Sequence, residues 1–346
     1  MSDQYFNTLA SLLETKIIEV EIVLSHLLLP VVDQNPYHPF VLSEGHLGIP
    51  RKALYQAYLS ACNAFTTSRA DNAPTLLRAT SVILLANPSH TTALNARKRL
   101  VSSRMLGAAW ELEFTAVLLS EQQAAKSSAL WHHRRWLLRF TYANNRHASY
   151  DELETSVVPI DRLKAEIALT ARACEVYPRN YFAWIHRAHC VRSVLNQPAS
   201  MLETVIELFD TELTSVRDWI NVHISDYTAM HYATEILMAY QTVPTARYQE
   251  SCELAVDHAL SLVHSYPDHE ALWLYLRHTY TTLATNSPDV ASAAESLLSP
   301  LVARFPSLHS IGDDFAPLAF TPDQRVEQVL ATRCIRWIAK RKSETH

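Results

Sequence analysis

Glycine is scarce in this chain: four in 346 residues, at Gly45, Gly48, Gly107 and Gly312, against a usual share of about 7%. No two are spaced to cradle a phosphate, which excludes a P-loop or a dinucleotide fingerprint. The five cysteines, Cys62, Cys174, Cys190, Cys252 and Cys334, are odd in number and form no Cys-x-x-Cys pair. They read as reduced thiols of a cytoplasmic protein rather than as a disulfide framework or a structural zinc site. Basic clusters are lacking as well. With 30 Lys and Arg against 35 Asp and Glu, and a net charge of −5, the balance speaks against a nucleic-acid surface. The longest apolar stretch, Val20 to Val32, is broken by Glu21, Ser25, His26 and Pro30 and is too short to span a bilayer. The N-terminus has no basic start followed by an apolar run, so no signal peptide is expected.

What the chain does have is helical periodicity, punctuated by one recurring turn. Tyr177-Pro178-Arg179-Asn180-Tyr181-Phe182-Ala183-Trp184-Ile185-His186-Arg187 reads as a helix end, a tight turn, and a second helix. Proline cannot continue the first helix, and Asn180 is a good N-cap for the next. Degenerate copies place an apolar anchor at Leu94, Trp131, Trp184, Met230 and Trp273, roughly 35 to 50 residues apart, the length of one helical hairpin. The expected fold is all-α, an α-solenoid of stacked hairpins, with no strand anywhere. Helices are expected at 3–29, where Leu9, Leu12, Leu13, Ile17, Val20, Val23, Leu24 and Leu27 recur at helical spacing, and at 51–67. Hairpins follow at 74–86 with 91–103, 107–121 with 127–143, and 160–176 with 181–195. Later helices are expected at 200–213 with 217–222, at 227–242, at 246–265 with 270–285, and at 289–304. Residues 33–50, 144–158 and 305–322 read as loops, and a last helix is expected at 322–342. In domain terms, 1–50 is an N-terminal helix and loop, 51–304 the repeats, and 305–346 a C-terminal segment.

Trp131, Trp184 and Trp273 are expected to be structural wedges between hairpins. The polar residues near them admit two readings. His132, His133, Arg134, His186, Arg187, His231 and Tyr232, at one level of successive hairpins, either bridge repeats and satisfy helix ends or grip a partner along one edge. A metal site is not expected, because no His-Glu-x-x-His and no Cys/His/Asp set has ligand spacing.

The stretches Asn180 to Arg187 and Trp131-His132-His133-Arg134-Arg135 resemble the Asn-Tyr-x-x-Trp-x-x-Arg repeat of protein prenyltransferase α subunits. Trp219-x-x-x-His223-x-Ser225-Asp226 and the copy Asp226 to Tyr232 are similar to one branch of that family. The resemblance implies a crescent of hairpins around a separate β subunit, with that of Rab geranylgeranyltransferase as the expected partner. It places zinc and geranylgeranyl diphosphate in the β chain and no cofactor in this one. It implies isoprenoid transfer to a C-terminal cysteine of a SNARE-type acceptor. Residue by residue, it assigns Lys126, five before Trp131, and Tyr181 to the rim of the reaction site. The bare alternative for Lys126 is a solvated charge at a helix start. It also makes Asn180, His223 and Asp226 part of the partner-binding set. Phe182 stands where the family has histidine and Ser128 where it has tyrosine. Anchors also depart: Leu94 and Met230 replace Trp, and Ala233 and Leu276 replace Arg. A non-catalytic helical-repeat adaptor is the alternative reading.

Overall fold

Helix is what most of the chain forms, as the apolar spacing predicts. The computed structural model describes residues 2–24, 35–68, 72–143, 153, 156–284, 329–331 and 333–338. The helix expected at 289–304, the irregular stretch 305–322 and most of the connection at 144–158 lie outside these. Of the expected last helix, 329–331 and 333–338 are described and are helical. The chain divides into two compact units, Met1–Asn196 and Gln197–His346. That division cuts the stretch 51–304 between two single-turn segments, Val194–Asn196 and Ala199–Met201, around Pro198.

In the first unit, α1 (Ser2–Leu13) buries Phe6, Leu9, Ala10, Leu12 and Leu13 against α2 (Arg51–Thr67) and α3 (Ala73–Ala86). Helix pairs follow. The first is α3 with α4 (Thr91–Ser102), and the second is α5 (Ala108–Leu118) and the short α6 (Gln122–Ala125) with α7 (Ser128–Tyr142). The third is α8 (Ile160–Val176) with α9 (Tyr181–Ser193). First helices touch first helices (α6 with α8) and second helices touch second helices (α4 with α7, α7 with α9). This two-layer stacking is the solenoid arrangement. In the second unit, α10 (Leu202–Val222) pairs with α11 (Tyr227–Tyr240), and α12 (Arg247–Ser265) with α13 (Glu270–Ala284). Here too α10 meets α12 and α11 meets α13. α10 runs without the break expected near 214–216, since no Pro or Gly interrupts it.

The expectation of no strand is corrected near the N-terminus. α1 stops at Leu13, and Glu19–Val23 is a strand (β1). Within 33–50, Val41–Ser43 (β2) and His46–Pro50 (β3) form a hairpin. The sheet order is β1-β3-β2, with β1 parallel to β3 and β2 antiparallel to it. Glu-Val-Glu-Ile-Val alternates with period two, which favours a strand with Val20 inward. The i, i+3 spacing of Val20 and Val23 had fitted a helix equally well. The hairpin turns on Glu44 and Gly45, φ 51° and 87°, the positive-φ pair that a two-residue loop requires. A Cβ on Gly45 would come within 2.9 Å of the Ile18 side chain, so the position needs glycine on two counts.

Candidate functional site

Four second helices, α4, α7, α9 and α11, start on a side-chain cap four residues before the anchor. His90 Nδ1 accepts from Ala93 N (3.1 Å), Ser127 Oγ from Leu130 N (3.3 Å), Asn180 Oδ1 from Ala183 N (3.1 Å) and Asp226 Oδ1 from Ala229 N (3.2 Å). Such caps satisfy donors the helix leaves open. The anchors then fasten the turn. Trp131 Nε1 donates to Ala125 O and Trp273 Nε1 to Pro267 O, both at 2.7 Å. Asn180 Nδ2 donates to the same Ala125 O at 2.8 Å, tying the α8–α9 turn to the α6–α7 turn.

Below this rim lies a periodic buried network. Arg97 on α4 donates Nε to both Glu111 oxygens (2.9 and 3.0 Å) and Nη2 to Glu111 Oε2 (2.6 Å) on α5. Its Nη1 reaches Thr80 Oγ1 and Ser81 Oγ on α3, each at 3.0 Å. His133 Nε2 on α7 lies 2.8 Å from Glu111 Oε1. One repeat on, the pattern recurs. Arg134 donates Nε to Glu166 Oε2 (2.6 Å), Nη2 to Oε1 (2.9 Å), and Nη1 to Leu112 O and Thr115 Oγ1 (2.6 and 2.8 Å). His186 Nε2 lies 3.0 Å from Glu166 Oε2. Each arginine therefore links the first helix of its own pair to the first helix of the next.

These groups are essentially out of water, and their titration follows. Burial alone would raise the Glu166 carboxyl, but the Arg134 charge and the His186 hydrogen bond override it and hold it well below the carboxylate range. Glu111 is lowered in the same way, against its burial, by Arg97 and His133. For the imidazoles burial prevails. His186 is pushed down to about 4, and His133 is lowered too, despite the carboxylates beside them. At neutral pH each site is therefore an arginine–carboxylate pair to which a neutral imidazole donates Nε2–H. Cys190 Sγ sits 3.5 Å from His186 Nε2, and burial raises its thiol far above its ordinary value, so it is not a nucleophile.

The structure thus separates the residues singled out from the sequence. His133, Arg134, Asn180, His186, Arg187, Asp226 and Tyr232 are buried, and the edge read as a surface is largely internal. Arg187 stacks its guanidinium over Trp184, 5.3 Å from the ring centroid. Tyr232 donates its hydroxyl to Glu212, the slot that His186 fills against Glu166. Trp131, Trp184 and Trp273 are buried wedges. His132 is half-buried. His223 stacks on Trp219 with centroids 3.9 Å apart, while Trp219 Nε1 donates to Asp226 Oδ2 at 3.0 Å. His231 is exposed, 3.9 Å from Glu235 and with ring centroids 5.6 Å from His278.

Lys126 and Tyr181 are exposed on adjoining turns, each next in sequence to one partner of the Asn180–Ala125 hydrogen bond. Lys126 is exposed, its Nζ 5.6 Å from the Tyr177 ring centroid. Tyr181 is 56% exposed and packs edge-on to Phe182, centroids 5.5 Å apart. Ser128 is exposed at the start of α7. Ala125 O, which holds both Trp131 and Asn180, ties these two turns together. The carboxylates Glu111, Glu166 and Glu212 were not anticipated. Their signal was a lone acid on the apolar face of a first helix, 20 to 22 residues before a His or Tyr. Among the described residues no group of three or more His, Cys, Asp or Glu side chains is arranged to hold a metal ion. No described helix is long and apolar enough to cross a membrane.

Comparison with known proteins fits this geometry. Residues 109–141 and 163–194 match the protein prenyltransferase alpha subunit repeat, and these stretches hold the Glu111–His133 and Glu166–His186 pairs. The chain is similar to protein prenyltransferase alpha subunit repeat-containing protein 1 of Danio rerio, 29% identical over 59% of this chain and 54% of the relative. For the Homo sapiens protein of that name the figures are 28%, 60% and 59%. It is also similar to geranylgeranyl transferase type-2 subunit alpha of Saccharomyces cerevisiae, 22% identical over 58% of this chain and 57% of the relative. The chain thus spans little more than half the length of the curated relatives it matches. Two successive helix pairs of this chain, α5–α7 and α8–α9, therefore carry the protein prenyltransferase alpha subunit repeat.

Proposed function

We propose that this chain is the α, non-zinc subunit of a heterodimeric protein geranylgeranyltransferase. The observation that carries the reading is the ledge: an exposed lysine and an exposed tyrosine on two turns that one carbonyl, Ala125 O, ties together through Trp131 and Asn180. The repeat match and the likeness to alpha subunits of geranylgeranyl transferase type-2 support it. In this reading zinc and geranylgeranyl diphosphate reside in the β subunit, that of Rab geranylgeranyltransferase, and zinc there supplies the activated thiolate of the acceptor cysteine. The acceptor is a SNARE-type protein with a C-terminal cysteine. This chain's part is electrostatic. Lys126 presents a cation to diphosphate oxygens that gain charge as the isoprenoid leaves, and the Tyr181 hydroxyl offers a neighbouring hydrogen bond. The buried arginine–carboxylate–imidazole sets keep the two turns in register, so that these side chains do not have to be ordered on binding.

The test is co-purification with prenyltransferase β subunits followed by transfer of labelled isoprenoid to a cysteine-tailed acceptor. A one-to-one complex that lipidates the acceptor, and in which Lys126→Ala lowers turnover about tenfold or more while the complex still forms, supports the proposal. Absence of any complex at micromolar concentration overturns it in favour of a non-catalytic repeat adaptor, the reading to which Phe182 and Ser128 already lean.

A further inference from the structure

The turn between α8 and α9 holds a residue that its backbone does not suit. Arg179 sits at φ 56°, in the left-handed region that glycine and asparagine enter readily and arginine rarely does. The turn itself does not need an arginine. Its hydrogen bonds use main chain and Asn180: Tyr181 N donates to Arg179 O (3.0 Å), and Asn180 caps α9 and reaches Ala125 O. The Arg179 side chain is exposed and forms no ion pair among the described residues. A cation kept in an unfavourable conformation, and unused by the fold, points to a use outside it.

Its position says which use. Five residues before the successive anchors stand Ser89, Lys126, Arg179, Ser225 and Asp268. Only Lys126 and Arg179 are cations, and they belong to the two helix pairs that match the repeat. Their turns are also the ones that Asn180 Nδ2 and Ala125 O join at 2.8 Å, with Lys126 following Ala125 and Arg179 preceding Asn180 in the chain. Lys126 Nζ lies 5.6 Å from the ring of Tyr177, two residues before Arg179. No Asp or Glu occurs between Gln122 and Leu130 or between Val176 and Arg192, so neither turn brings a carboxylate of its own to quench these charges. An ammonium is a point charge, whereas a guanidinium adds a fork of donors that matches phosphate oxygens. We propose that Arg179 is a second cation for the diphosphate, holding one phosphoryl group while Lys126 holds the other. The inference rests on the transferase reading and deepens it, since the two turns then receive a diphosphate as a pair of phosphoryl groups.

The experiment is inhibition of the assembled α–β complex by inorganic pyrophosphate, with turnover and the KM for each substrate measured beside it. Arg179→Gly is the variant to use, because glycine removes the guanidinium and adopts φ 56° without strain. It should denature no earlier than the native chain. The pyrophosphate concentration for half-inhibition and the KM for geranylgeranyl diphosphate should both rise about tenfold, the KM for the acceptor should stay, and Arg179→Lys should recover part of the loss. Unchanged inhibition and KM in Arg179→Gly, in a complex that Lys126→Ala still impairs, overturn the inference and leave the transferase reading standing. A loss that comes with earlier denaturation, or that shows in the acceptor KM alone, overturns it as well, by making Arg179 part of the turn or of the acceptor's site. Absence of any complex that transfers isoprenoid removes the transferase reading itself, and the inference falls with it.

Discussion

Glu166 in the first unit and Glu212 in the second each stand 20 residues before the side chain that bonds them, yet the first meets an imidazole and the second a phenol. The backbone slot is the same: a carboxylate on a first helix, facing a side chain two positions after the anchor of the second helix. The chemistry put into it differs. In the first unit the carboxylate is held by Arg134 from the preceding pair and by His186, a set whose members depend on one another's charge. In the second unit the corresponding donor to Glu212 is the Tyr232 hydroxyl. What the slot requires is one donor at hydrogen-bond distance from a buried carboxylate. An imidazole in that place brings a group that titrates in mild acid beside the carboxylate.

The largest effect that would expose this difference comes from removing an arginine. Arg97→Ala leaves Glu111 buried with only the neutral His133 beside it among its described partners, and should cost about 3–5 kcal/mol in chemical denaturation followed by tryptophan fluorescence. Arg134→Ala should cost less, because Arg162 also bonds Glu166, at 2.8 and 3.0 Å. Equal losses at the two positions would mean that Arg162 contributes nothing and that the two sets are equivalent in energy as well as in geometry.

Acid comes next. His186 is neutral in the fold down to about 4, while the unfolded chain takes up that proton near 6.5. The unfolded state therefore binds more protons between these values, and stability falls as pH drops through that window, by about 3 kcal/mol from this one group. Glu166, held low, works in the same direction at still lower pH: its stabilisation is present above the ordinary carboxylate pKa and is lost as acid protonates it. His186→Gln keeps an N–H donor but cannot titrate. Denaturation curves at stepped pH should show that the variant loses the steep part between 6.5 and 4; an unchanged profile would mean that another group sets the acid limb.

A smaller loss tests the other side of the comparison. Tyr232→Phe removes the donor to Glu212 and should cost about 1–3 kcal/mol in the same denaturation series. A loss as large as that of Arg97→Ala would mean that one hydroxyl donor matters to a buried carboxylate as much as an arginine does.

The turns that repeat along the chain were readable because their physics is local. Pro178 and Asn180 announce a helix end and a cap within three residues, and Asn180 caps α9 in the structure. The α-solenoid followed from five such turns. The buried network was half legible. His133, His186 and Arg134 stood out, but Glu111 and Glu166 lie 22 and 20 residues before the two histidines, and Glu166 32 after Arg134, on other helices, and single-chain spacing does not say which face a lone acid occupies. For that reason an internal network looked like a possible partner edge. The sheet was missed for another reason. Strands of three and five residues offer too few periods to tell alternation from helical spacing, and only Glu44-Gly45 marked the hairpin.

The smallest stability effect separates scaffold from site. Lys126 and Arg134 belong to the same helix pair, eight positions apart in sequence, one exposed on the rim and the other buried in the network. Lys126 stacks over Tyr177 at 5.6 Å, an exposed contact that contributes little. Lys126→Ala should therefore shift stability by less than about 0.5 kcal/mol, measured in the same denaturation series as Arg97→Ala. If it instead costs more than the capping change Ser127→Ala, expected at about 1 kcal/mol, the lysine is part of what holds the turn, and a drop in isoprenoid transfer on its removal would no longer speak for a role at the diphosphate. If stability is untouched while transfer falls, the same helix pair carries two cations with separate tasks, the buried one fixing the turn and the exposed one using it.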